Sequence, residues 1–149
     1  MNGLKSIKGN MTINAHKEKV WDVLIDDKFT KIWYAEFGEG THAITDWKVG
    51  SKVQFRDKSG SGLVGKIISN QPGELLSIEY YGLLDKGVED LDSEGAKQVK
   101  GGREIYKLTE EDGVTTLQTE ADMAEDFFEM MSDAWERALQ KIKELSEAA

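Results

Sequence analysis

The longest periodic stretch of the chain is its last. From Asp126 to Ser146, the residues Phe128, Met131, Trp135, Ala138, Ile142 and Leu145 recur at alternating steps of three and four, which places them on one helical face. Phe127, Ala134 and Leu139 widen that face into a stripe suited to packing on a sheet. Glu125, Asp126 and Glu129 crowd the start, while Arg137, Lys141 and Lys143 lie in the second half, as the helix dipole favours. Asp126 with Glu129, or Asp122 with Glu125, offers a capping box, so the start is open by one turn. The stripe is uneven. Its first half is aromatic and Met-rich (Phe127, Phe128, Met130, Met131, Trp135), and its second half is aliphatic and small.

Upstream, the period changes several times. Ile7, Met11, Ile13 and Ala15 alternate with polar residues, the mark of a half-buried strand over Ile7–Ala15. Gly9, on the apolar side, marks a bulge or a close backbone approach. Val20, Trp21, Leu24 and Ile25 then take helical spacing within His16–Ile25, and Phe29, Ile32 and Trp33 predict a second short helix. Strands follow one another after that: Thr41–Thr45 (weak), Lys52–Asp57 with Val53 and Phe55 on one face, Leu63–Ser69, and Leu75–Leu83 with Leu76, Ile78 and Tyr80 on one face. Arg103–Thr109 and Val114–Ala121 form a hairpin across Asp112-Gly113, with Tyr106 and Leu108 sharing a face of the first strand. Between these lies Leu84–Gly102, polar and rich in glycine, a segment long enough to be either a lid or a mobile loop. Leu84, Val88 and Leu91 are spaced for one or two helical turns within it.

The order is a strand, two short helices, a meander of strands and a long terminal helix. It predicts an α+β fold in a single domain over residues 1–149, with a curved antiparallel sheet of about six or seven strands wrapped around the terminal helix. At this length the chain buries about 70% of its unfolded surface without staples.

That order resembles the helix-grip fold of the START-like (SRPBCC) superfamily, which includes the birch-pollen allergen group and the polyketide cyclases. More closely, the chain resembles bacterial homologues of the C-terminal domain of the activator of the ninety-kilodalton heat-shock-protein ATPase. The resemblance rests on Ile13-Asn14-Ala15 running into Lys19-Val20-Trp21-Asp22-Val23-Leu24, on Trp33, and on Trp47-Lys48-Val49-Gly50-Ser51. Gly65-Lys66-Ile67, Gly113-Val114-Thr115-Thr116-Leu117 and the closing stretch Met131–Leu139 complete it. It spans essentially the whole chain, and its motifs are structural. Where the family often begins its first helix with a small hydroxyl residue and Pro, this chain has His16-Lys17, so Asn14 is the expected cap. Trp21, Trp33 and Trp47 occupy the family's packing positions.

The resemblance implies a cavity between sheet and terminal helix, lined by Phe128, Met131 and Trp135. The strand pattern adds Phe55, and with it Tyr80 and Tyr106; the two tyrosine hydroxyls need partners when buried. His42 is the sole sequence candidate for a base tuned near neutral pH, and Arg56 and Arg103 are the candidates for an acidic ligand. Cavity walls of Met and aromatic residues suit a small apolar or amphipathic molecule.

Composition narrows this further. A net charge of −9, from 28 acidic and 19 basic residues, argues against nucleic acid or an anionic membrane surface as partner. There is no Cys, hence no disulfide or thiolate site, and a cytoplasmic location is expected. Two His without zinc spacing, no phosphate-cradling glycine loop and no nucleophile elbow predict neither metal nor cofactor. Asp90, Asp92 and Glu94 alternate like the first calcium ligands of a helix-loop-helix hand, but no distal Glu follows at the right position. The leading expectation is a small-molecule binding protein without a catalytic signature. The rivals are a chaperone-associated interaction module and a cyclase- or dehydratase-like enzyme, the latter requiring polar groups that converge inside the cavity.

Overall fold

A computed structural model describes residues 4–148. The elements run β1 (Leu4–Ile13), α1 (Lys17–Ile25), α2 (Asp27–Trp33), a 3-10 turn (Tyr34–Glu36), β2 (His42–Ile44), β3 (Lys52–Arg56), β4 (Gly62–Gln71) and β5 (Leu75–Asp85). They continue with β6 (Val88–Asp90), α3 (Glu94–Val99), β7 (Arg103–Glu111), β8 (Val114–Ala124), a second 3-10 turn (Glu125–Phe127) and α4 (Phe128–Glu147). The strands form one antiparallel sheet in the order β1-β8-β7-β5-β4-β3-β2, with β6 paired to β5. This is the helix-grip arrangement, a curved sheet holding the long α4.

The predicted period-2 faces meet in register. Tyr106 pairs with Leu76 and Thr119, and Leu108 pairs with Leu117, so the inward residues of β5, β7 and β8 form continuous rows. The β7–β8 hairpin turns at Asp112 and Gly113, both with positive φ (53° and 79°), the geometry that an Asp-Gly two-residue loop supplies. Ile13, Val20, Val23, Leu24, Leu76, Ile78 and Ile142 are sealed in the core. Trp21 and Trp33 are buried with them, and the Trp33 Nε1–H donates to the Val23 carbonyl at 2.8 Å, tying α2 to α1. Trp47 is only partly buried at the core's edge.

Four local expectations are corrected. The cap of α1 is not Asn14. Glu110, reaching across from β7, accepts the Lys17 amide at 2.9 Å and lies 3.1 Å from His16 Nδ1, while the Asn14 amide donates to Glu147 at 2.8 Å. Neither capping box forms at α4, which is entered through the 3-10 turn without a side-chain cap. Asp122 stays in β8, accepting from Ser6 Oγ and from the Arg103 amide.

Leu84, Val88 and Leu91 make no helical turn: Leu84 pairs with Glu89 in the β5–β6 hairpin, and the helix comes later, as α3. Its cap is Ser93, whose Oγ accepts the Ala96 amide at 3.2 Å. Asp90 accepts the amides of Asp92 and Ser93 at 3.2 and 3.0 Å, so the calcium-like spacing serves a turn.

Candidate functional site

Between the sheet and the aromatic half of α4 lies a cavity of about 600 Å³. β7 supplies its polar centre. Tyr106 and Leu108 face inward, and the same alternation turns Glu104 inward two residues earlier. Glu104 sits between Ile78 of β5 and Ala121 of β8, and its carboxyl points into the hollow. The Tyr80 hydroxyl, from β5, donates to Glu104 Oε1 at 2.6 Å, and the Tyr106 hydroxyl donates to Oε2. Among the described residues lining this cavity there are four carboxylates (Asp57, Glu104, Asp122, Asp126) and no Lys, Arg or His.

Burial raises the Glu104 carboxyl above the ordinary range, and the hydrogen bonds from Tyr106 and Tyr80 offset that only in part. Burial likewise pushes the phenols of Tyr80, Tyr106 and Tyr34 well above their usual range, with the Glu104 charge acting in the same direction. The phenols therefore stay protonated at neutral pH and can act as donors.

Aromatic rings surround this centre edge to face. Tyr106 contacts Trp33 (centroids 6.2 Å apart), Trp33 contacts Tyr34 (4.5 Å), Tyr34 contacts Phe55 (5.7 Å) and Phe55 contacts Tyr80 (6.1 Å). Since Tyr80 and Tyr106 both end on Glu104, the five rings and the carboxyl close a circuit. Trp135 of α4 leans against Tyr106 at 5.9 Å and continues the wall to Phe37 at 5.0 Å. Exposed Phe127 and Met130, with Gln98 and Val99 of α3, form the outer edge.

Five sequence candidates meet here: Phe55, Tyr80, Tyr106, Met131 and Trp135. Two do not. Phe128 lies about 100° around the helix from Phe127, on the side turned to β1. There it borders a second, outer groove with Ile7 and Leu139, and Lys5 Nζ stands 5.2 Å from its ring. His42 pairs with Arg56, while the adjacent pair Ala43–Phe55 packs on the core, so alternation turns His42 to the opposite face. Its Nδ1 lies 3.1 Å from the Gly40 carbonyl. Arg56 is turned out with it and grips Gln54 at 2.7 and 3.0 Å, and Arg103 pairs with Glu79 at 3.1 Å.

Glu104 and Tyr34 are among the cavity residues that escaped the sequence reading. Glu104 was concealed because only apolar residues were counted in the alternation, although it is in phase with Tyr106 and Leu108. Tyr34 continues the spacing Thr30, Trp33, Tyr34, Phe37, a helical face that runs beyond the end of α2 through the 3-10 turn.

The family described as Activator of Hsp90 ATPase homolog 1-like protein matches residues 14–147. Among solved structures, the Aha1 dimer from Colwellia psychrerythraea is 18% identical with a TM-score of 0.72, over 96% of this chain and 96% of that one. Protein MLL2253 from Mesorhizobium loti is 15% identical with a TM-score of 0.73, over 95% of this chain and 96% of that one. CalU16 from Micromonospora echinospora is 18% identical with a TM-score of 0.69, over 97% of this chain and 77% of that one. No curated protein sequence matches. No helix among the described residues is long and apolar enough to cross a membrane.

Proposed function

The chain belongs to the Activator of Hsp90 ATPase homolog 1-like family, and from that premise we propose that it binds a small amphipathic molecule in the cavity between the sheet and α4. One observation carries the reading: a roomy aromatic hollow with a polar cluster at its centre, Tyr80 and Tyr106 converging on Glu104. A core built only for stability fills such space, because an unfilled volume forfeits packing contacts. A ligand site instead combines apolar walls with a few convergent polar groups. The volume, about 600 Å³, is in the range of small-molecule sites.

The test is native mass spectrometry of freshly purified protein, set beside Leu63→Trp. Leu63 faces the cavity beside Phe55, so a Trp there fills the hollow. The expected result is a non-covalent adduct on the wild type that the variant lacks, and Trp fluorescence that shifts when the extracted molecule is returned. A wild type that carries no adduct and binds nothing from a panel of apolar and amphipathic molecules overturns the reading.

The same cluster favours a second reading, proton-transfer catalysis. A carboxylic acid that burial makes slower to give up its proton, held between two phenols, is placed to protonate a bound carbonyl or a leaving hydroxyl. Turnover of a bound polyketide-like substrate that disappears in Glu104→Gln while binding persists would establish it. Binding without turnover leaves the first reading alone.

A further inference from the structure

Resting on the binding reading above, we infer that the cavity selects organic cations: amphipathic amines whose ammonium group seats against Glu104 inside the circuit of aromatic rings. Three features of the lining point the same way. The first is charge. The group at the polar centre is a carboxyl with no basic residue among the described residues of the wall, and the three other charged residues that border the hollow are also acidic. A site built for a carboxylate or phosphate ligand would place Arg or Lys inside, and here Arg56 and Arg103 are both turned outward.

The second feature is the walls. Tyr34, Phe55, Trp33, Tyr80 and Tyr106 offer π faces and edges around one carboxyl, and an ammonium surrounded by such rings is attracted by their quadrupoles as well as by the anion. The third is a further polar group within reach. Tyr34 borders the cavity and its phenol lies close enough to Glu104 to feel the charge of the carboxylate. An ammonium has N–H groups to donate to the Tyr34 oxygen as well as to Glu104.

The four carboxylates are not equivalent. Asp57 is tied to the Ser59 and Ser61 amides of its own turn at 2.8 and 3.2 Å, and Asp122 to Ser6 and the Arg103 amide. Asp126 is exposed at the outer edge. Glu104 alone combines depth with the aromatic circuit, and the groups facing it are the phenols of Tyr34, Tyr80 and Tyr106. Seating an ammonium there favours the ionised carboxylate, so wherever the free Glu104 still holds its proton, binding releases that proton to water. Affinity for an amine should therefore rise with pH until the amine itself loses its proton.

The experiment compares decylamine, decanol and decanoate by calorimetry and Trp fluorescence, below their aggregation concentrations, on the wild type, Glu104→Gln and Tyr34→Phe. The expected order is amine, then alcohol, then carboxylate, with the amine about tenfold tighter than the alcohol. Calorimetry stepped from acidic to neutral pH in buffers of different ionisation enthalpy should show a window of proton release for the amine only. Glu104→Gln should lower amine affinity more than alcohol affinity, bringing the two together, and Tyr34→Phe should likewise lower the amine more than the alcohol. Should Glu104→Gln fail to fold, the wild-type series and its proton release still decide. Decanol or decanoate binding as tightly as decylamine overturns the cation inference and leaves the binding reading standing. If all three probes fail to bind, the cation inference falls, and the binding reading is decided by the adduct and the wider panel.

Discussion

Gly9 of β1 lies directly beneath Leu139 of α4: a Cβ built on Gly9 would come 2.6 Å from Leu139 Cδ1 and 2.5 Å from Thr119 Oγ1. This is the closest seating of the helix on the sheet that a side chain would obstruct. Four residues earlier on α4, Trp135 lines the cavity instead, so the aliphatic half of the helix grips the sheet while the aromatic half borders the hollow. Gly9→Ala should therefore cost about 1–3 kcal/mol through overpacking, read from urea melts. Adding Leu139→Ala should recover part of that loss, and strictly additive effects of the two changes would refute the contact.

Trp21 is 6% exposed and packs in the core where α1 meets the sheet. Trp21→Ala should destabilise by about 3–5 kcal/mol through cavity formation. A thermal melt that leaves stability intact would remove Trp21 from the core.

The first turn of α1 should respond to pH through Glu110. Its carboxyl is held below the ordinary range, first by the Lys17 amide and then by His16. A lowered folded pKa gives stability that is present above the ordinary carboxyl range and lost as pH falls through the folded value. Glu110→Gln should therefore lower stability at neutral pH, with the gap from wild type closing in acid. A gap that stays constant down to strongly acidic pH would mean that Glu110 contributes nothing through its charge.

Much of this architecture was legible from local pattern. Two periods, 3.6 and 2, were enough for α4, β1 and the β7–β8 hairpin, because each buries one face and the sequence must repeat accordingly. The start of α4 and the cap of α1 were not legible, since each depends on a residue distant in sequence or on no side chain at all: Glu110 reaches Lys17 from 93 residues further along the chain. β6 and α3 were hidden for a different reason. Val88 is exposed and Ala96 is the one buried residue of α3, so neither element leaves a periodic stripe. In the cavity, counting apolar residues found the walls and missed Glu104, the one inward position whose chemistry departs from its row. His42 failed because a strand of three residues carries no phase of its own. Only its pairing with Arg56 shows which way it faces.

Glu104 should leave a signature in folding stability opposite to that of Glu110. Its ordinary carboxyl value is 4.5, and burial raises it in the folded protein. Below that ordinary value both folded and unfolded chains hold the proton, and Glu104 adds no pH dependence. As pH rises above it, the unfolded chain releases the proton while the folded chain keeps it, so the folded state binds more protons and stability falls with pH. The fall ends once pH passes the raised value and both states are ionised. Glu104→Gln removes the titration while retaining a carbonyl that accepts from one tyrosine, although its NH₂ must then meet the oxygen of the other. Relative to wild type, the variant should therefore gain stability as pH rises from about 4 until it passes the raised folded value, whatever its offset in acid. Paired urea melts across that range measure the difference and cancel the contributions of the other carboxylates. A difference that is flat, or that moves in favour of wild type as pH rises, would mean that Glu104 ionises as readily in the folded protein as in water.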